Sequence, residues 1–189
     1  MKKLLCLLPL LLISQAAYAE VVIQNDQKYI DNDGLLHIVG EIENNTSAPL
    51  NQIKISALLI DGDGNEVKRI VGETVSNVVM PEAKGAFDIL IKNVKSENIS
   101  DYNLNLDYSM TEPKNQVIEI SDTTLTKDIH NNTVITGVLE NKGDITANMI
   151  RVVATLYDRD GNVLTVSELY TKPDFLRAGD SSNFIIPFH

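Results

Sequence analysis

Residues 38–65 and 135–162 are one pattern written twice, at a constant offset of 97 and without a gap, and this duplication constrains the fold more than any other feature of the chain. In IVGEIENNTSAPLNQIKISALLIDGDGN and ITGVLENKGDITANMIRVVATLYDRDGN, 12 of 28 aligned positions are identical, among them Gly40/Gly137, Asn44/Asn141, Ala57/Ala154, Leu59/Leu156 and Asp61/Asp158. A repeat of this length predicts two similar units, each burying its own apolar face, in place of one large domain.

Inside each copy the period is that of strands. Ile53, Ile55, Ala57 and Leu59 alternate with Gln52, Lys54 and Ser56, and Ile150, Val152, Ala154 and Leu156 repeat the pattern, which describes a half-buried strand. Both strands run into Asp-x-Asp-Gly-Asn, residues 61–65 and 158–162, where glycine supplies the backbone freedom a tight hairpin needs. Upstream, Leu36, Ile38, Gly40 and Ile42 alternate towards Asn44-Asn45, and 134–141 repeats them. Downstream, Phe87, Ile89 and Ile91 match Phe184, Ile186 and Phe188. No stretch after residue 19 carries a convincing helical period. Short strands separated by turn chemistry predict an all-β fold of antiparallel sandwiches.

The first 19 residues read as a cleaved signal peptide: Lys2 and Lys3, an apolar run from Leu4 to Ile13, and Ala17-Tyr18-Ala19 as the cleavage site. The run is about 10 residues, half of what a membrane-spanning helix needs, so no transmembrane helix is expected in the mature chain. Cys6 lies early in the run and not after the cleavage site, which disfavours a lipid anchor. It is the only cysteine, so the mature protein forms no disulfide and depends on packing. The expected location is outside the cytoplasm: periplasmic, cell-surface or extracellular. The expected domains are a first sandwich at 20–110, a linker at 111–116 and a second sandwich at 117–189. So short a linker predicts a jointed rod. With 14 basic and 26 acidic residues the mature chain carries a net charge of −12, which disfavours nucleic acid and anionic lipid as partners.

The segment Ala154-Thr155-Leu156-Tyr157-Asp158, followed by Asp160-Gly161, resembles the signature of the FxLYD domain, and the apolar-x-Gly-x-apolar-x-Asn strand before it agrees. The resemblance implies a small immunoglobulin-like β-sandwich of secreted or surface proteins of prokaryotes and assigns no activity. Two positions depart from the signature: Ala154 stands where the family has phenylalanine, and the first copy reads Ala57-Leu58-Leu59-Ile60-Asp61, without the tyrosine.

The aspartate-rich turns contain part of a calcium loop, but the bidentate glutamate such a loop carries at its twelfth position is replaced by Gly72 and Leu169. Hairpin geometry accounts for the same residues, and no metal or cofactor is expected. His37, His130 and His189 share no ligand spacing. No serine lies in a nucleophile elbow, no glycine-rich phosphate loop is present, and no carboxylate pair stands out, so the chain reads as a non-enzyme without catalytic residues. Asn44, Asn45, Asn98 and Asn131 begin glycosylation sequons placed in loops or at strand ends. The expected function is a non-catalytic binding or structural module of the envelope or surface, contacting another macromolecule. The alternative is a ligand-binding or accessory subunit of an envelope enzyme or transport system, using a groove between the copies; aromatic residues at 5% and the absence of tryptophan disfavour it.

The alternating segment Tyr102, Leu104, Leu106 and Tyr108 has no counterpart after Phe188, so the second sandwich is expected to be one strand short. Pro187, in the place of Leu90, is expected to guard the resulting edge and keep the protein monomeric, with edge-strand association as the alternative.

Overall fold

The protein is described here by a computed structural model covering residues 20–92, 96–113, 115 and 117–188; the leader with its cleavage site, and His189, lie outside these residues. The fold is an all-β sandwich. In the first repeat, β1 (Val21–Ile30), β2 (Leu36–Asn44) and β6 (Lys84–Ile91) form one antiparallel sheet in the order β1-β2-β6. The facing sheet is centred on β3 (Leu50–Ile60), which pairs with β4 (Glu66–Glu73), β5 (Val78–Val79) and β7 (Asp101–Met110). A short 3-10 turn at Ser96–Asn98 precedes β7.

The second repeat contains β8 (Ile118–Lys127), β9 (Thr133–Asn141), β10 (Ala147–Asn148), β11 (Arg151–Tyr157), β12 (Val163–Tyr170), β13 (Phe175–Leu176) and β14 (Ser181–Phe188). One sheet has the order β14-β9-β8; β11 pairs with β12 and β10 with β13. Every pairing common to the two repeats keeps its register at the offset of 97: Val21 faces Asn44 as Ile118 faces Asn141, and Lys54 faces Glu73 as Arg151 faces Tyr170.

The duplication therefore extends well beyond the 28 residues where the sequences agree. Left-handed backbone positions also fall in pairs: Asn25 with Asp122, Gly34 with Asn131, Gln52 with Met149, Gly64 with Gly161 and Glu82 with Gly179. Such a conformation costs an ordinary residue roughly 1–2 kcal/mol. It is retained at Gln52, Met149 and Glu82, so the backbone path is shared where the residues are not.

Each repeat has its own core. Ile38, Ile42, Ile55, Leu59, Phe87 and their neighbours form one cluster; Leu139, Val152, Ala154, Phe184, Ile186 and Phe188 form another. The shared glycine of the motif is set by close approach. A Cβ on Gly40 would lie 2.5 Å from Cζ of Phe87, and one on Gly137 2.6 Å from Cζ of Phe184, so each aromatic ring occupies the space a side chain would need. Asn44 and Asn141 close the turn below in the same way. The Asn44 amide donates to the carbonyls of Ala48 and Val79, and the Asn141 amide to those of Ile145 and Leu176.

Four expectations need correction. The repeats do not form a jointed rod: β12 of the second packs on β1, β2 and β6 of the first. Leu156 points towards the core, but it is only partly buried, whereas Leu59 is fully enclosed. Pro187 lies on β14, opposite Val134 of β9, and so belongs to the sheet facing the position of the missing strand; it cannot guard that position. Asn44 is fully buried with its amide engaged, and so cannot serve as a glycosylation acceptor in the folded protein, whereas Asn45, Asn98 and Asn131 are exposed.

Candidate functional site, the seam and the open edge

The turn aspartates serve geometry. Asp61 Oδ1 accepts the backbone N–H groups of Asp63 at 3.0 Å and Asn65 at 2.8 Å, and Asp158 Oδ1 those of Asp160 at 2.9 Å and Asn162 at 2.8 Å. Asp31 and Asp128, which the sequence reading passed over, close their turns in the same manner. These hydrogen bonds, from the Asn65 backbone first at Asp61 and from the Asn162 side chain first at Asp158, hold both carboxyls below the usual aspartate range. Among the described residues, no group of three or more His, Cys, Asp or Glu side chains could hold a metal ion.

The histidines are dispersed. His37 lies between two carboxylates, its Nδ1 2.7 Å from Asp88 and its Nε2 3.3 Å from Asp31, with the Tyr29 ring stacked on it at 4.9 Å. His130 is exposed on its turn, and His189 lies outside the described residues.

Two features concentrate chemistry. The first is the seam between the repeats, built on β2. Alternation along β2 sends Ile38 and Ile42 into the first core and Val39 and Glu41 to the opposite face, which would be solvent in an isolated sandwich. Here β12 covers it, so that Val39 and Val163 are fully buried and Glu41 is 1% exposed. A buried carboxylate requires partners. Glu41 Oε1 accepts from Lys84 Nζ at 2.6 Å, Asn25 Nδ2 at 2.6 Å and Gln24 Nε2 at 3.3 Å. Its Oε2 accepts from the Tyr157 hydroxyl of the second repeat at 2.7 Å.

Burial alone would raise the Glu41 pKa. The hydrogen bonds from Lys84, Tyr157 and Asn25, with the Lys84 charge, outweigh burial and hold it below the usual glutamate range. The Tyr157 phenol is pushed up to about 12 by burial and by the carboxylate it donates to. Gln27 Nε2 donates to the Val163 carbonyl at 2.6 Å. Arg151 adds hydrogen bonds to the Val75 carbonyl and to Asn77 Oδ1. Sequence reasoning missed Glu41. The available signal was divergence: the aligned positions of Glu41, Lys84 and Tyr157 hold Val138, Ser181 and Ile60.

The second feature is the edge of β11. In the first repeat β3 is flanked on both sides, and Tyr102, Leu104, Leu106 and Tyr108 of β7 pack against the core. Among the described residues no strand pairs with β11 on the side where β7 pairs with β3. An open groove of about 320 Å³ lies there, lined by Ile118, Ile120, Leu139, Ala147, Ile150 and Val152 among others. Ile120 is 51% exposed, while its counterpart Ile23 packs against the first core. A second, polar groove is lined by Asn51, Gln52, Lys54, Glu73, Thr74 and neighbours, all of the first repeat, so it offers no ligand site between the copies.

The fold and these two features describe an all-β sandwich protein in which, among the described residues, β11 is paired on one side only. Compared with known proteins, the chain matches no protein-family model, no curated protein and no solved structure. No helix among the described residues is long and apolar enough to cross a membrane.

Proposed function

We propose that the chain is an exported, non-catalytic binding module of the cell envelope or surface, made of two tandem immunoglobulin-like sandwiches of the FxLYD kind and engaging a protein partner. The observation that carries this reading is the contrast between two copies of one framework. The first is closed by β7; in the second, among the described residues, no strand lies on that side of β11, and apolar side chains line the groove there. Of the 14 large apolar side chains exposed among the described residues, ten belong to the second repeat, including Ile120, Leu125, Ile129, Ile145 and Met149. Of these, Ile120 lines the groove beside β11, where Ile118, Leu139, Ile150 and Val152 adjoin it, and a contiguous apolar surface of that kind marks interaction sites.

The test is affinity capture by the mature protein from envelope extracts, run beside a thermal-shift screen of small metabolites. A captured protein that elutes with the second repeat supports the module. A melting shift with a small ligand, without protein capture, transfers support to the ligand-binding accessory role.

A further inference from the structure

We propose that the open edge of β11, with the apolar groove beside it, is a seat for an extended segment of a separate polypeptide, which adds as an antiparallel strand in the place β7 takes in the first repeat. The proposal deepens the binding-module reading and rests on it.

The seat can be read residue by residue because its filled counterpart is in the same molecule. On β3, Leu59 faces Tyr102, Ala57 faces Leu104, Ile55 faces Leu106 and Lys54 faces Asp107. At the offset of 97 the corresponding positions of β11 are Leu156, Ala154, Val152 and Arg151. The incoming segment therefore carries large apolar side chains at alternate positions, opposite Leu156, Ala154 and Val152; Arg151 is already engaged by Glu168 and by the Val75 carbonyl and sets no requirement of its own. Main-chain hydrogen bonds supply affinity in such strand addition, and the alternate side chains supply selectivity. The second core shows the matching deficit: Ala154 and Ile150 are each 9% exposed, against 0% for Ala57 and 3% for Ile53.

Nothing in β11 blocks pairing. Edge strands are ordinarily protected by proline, by charges or by bulges. Arg151-Val152-Val153-Ala154-Thr155-Leu156-Tyr157 has no proline and one charge, at its first residue. The bulge at Leu156/Tyr157 is also present at Leu59/Ile60, where β7 pairs all the same.

A second copy of this chain is the poorer occupant. Among the described residues each copy has two seats, on β3 and β11, and one strand of the required kind, β7, so exchange between copies empties one seat for each it fills. Pairing β11 with β11 leaves the groove unfilled, because Val152 and Ala154 already face their own core. The net charge of −10 for the whole chain further opposes self-association.

The experiment adds a labelled peptide with the sequence of residues 101–110, and a scrambled peptide of the same composition, to the mature protein. It reads binding by fluorescence anisotropy and amide exchange along residues 151–157. The expected result is at least tenfold tighter binding of the ordered peptide and at least tenfold slower exchange in β11, with the protein monomeric by light scattering. A variant in which the same ten residues follow His189 on a flexible linker fills the seat internally and should lose peptide binding while remaining folded. Equal binding of the two peptides, binding without protection of β11, or a dimer that protects β11 without peptide would each overturn the proposal. Capture of an envelope protein equally well by the linked-strand variant would leave the binding module standing and remove the seat. Specific peptide binding with no envelope partner captured would leave the seat standing and remove the module.

Discussion

Replacing Tyr157 by phenylalanine deletes one hydroxyl from the seam and leaves its packing in place. The hydroxyl donates at 2.7 Å to a carboxylate that is 1% exposed, from a tyrosine that is 43% exposed, so its loss removes one charge-assisted hydrogen bond at the rim of the seam. A hydrogen bond to a charged group contributes about 1.5–3 kcal/mol, and one between neutral groups about 0.5–1.5 kcal/mol. Tyr157→Phe should therefore cost about 2 kcal/mol in the parent and about 1 kcal/mol in a Glu41→Gln background, a coupling of about 1 kcal/mol. Urea unfolding of the parent, both single variants and the double variant measures it directly. Additivity within about 0.5 kcal/mol would show that the two groups do not act on each other and would refute the seam as an energetic unit. Acid provides a second readout. Glu41 has a folded-state pKa below its unfolded value, so its contribution is complete above about pH 4.3 and is lost as pH falls through the lower, folded value. The coupling should fade over that acidic window and stay constant from there to neutrality.

Three further outcomes follow from the geometry. Leu59→Ala should cost about 3–5 kcal/mol and Leu156→Ala about 1–2 kcal/mol in denaturant melts, because the first side chain is enclosed and the second borders the open edge; equal losses would contradict an unfilled seat. Gly137→Ala should destabilise by about 1–3 kcal/mol, since its Cβ would meet the Phe184 ring at 2.6 Å, and a neutral result by thermal denaturation would mean the ring moves freely. Millimolar calcium or EDTA should leave the melting temperature unchanged, because the turn carboxylates already accept backbone N–H groups; a rise of several degrees that vanished in Asp158→Asn would reverse this assignment.

The parts of the structure governed by local period were legible in the sequence. Alternation at Ile53–Leu59 and Phe87–Ile91, and Asp-Gly after each central strand, specify strands and hairpins within a few residues of where they lie. The seam was not legible, because it joins Glu41 to Tyr157 across 116 residues, and an outward glutamate on a strand looks the same whether water or another sheet faces it. The open edge was half legible. The lack of a counterpart of Tyr102–Tyr108 in the second copy is visible in the sequence, but alternation does not say which sheet a strand joins, and Pro187 lies on the sheet opposite the edge it was expected to guard.

The seam has a consequence for how such a chain can grow. Its donors and acceptor lie at positions where the copies differ, Glu41 against Val138 and Tyr157 against Ile60, so the repeats meet with unlike faces. Copying the first repeat once more would leave Oε2 of the glutamate facing an isoleucine, with Lys84, Asn25 and Gln24 still on Oε1, and copying the second would set the tyrosine hydroxyl against a valine, so neither copy would rebuild the hydrogen bond that crosses the seam. The arrangement has polarity: the bond across the seam needs the glutamate of the first repeat and the tyrosine of the second, and simple duplication of either repeat would not reproduce it. The two copies share one framework and have become unlike at the faces where they meet.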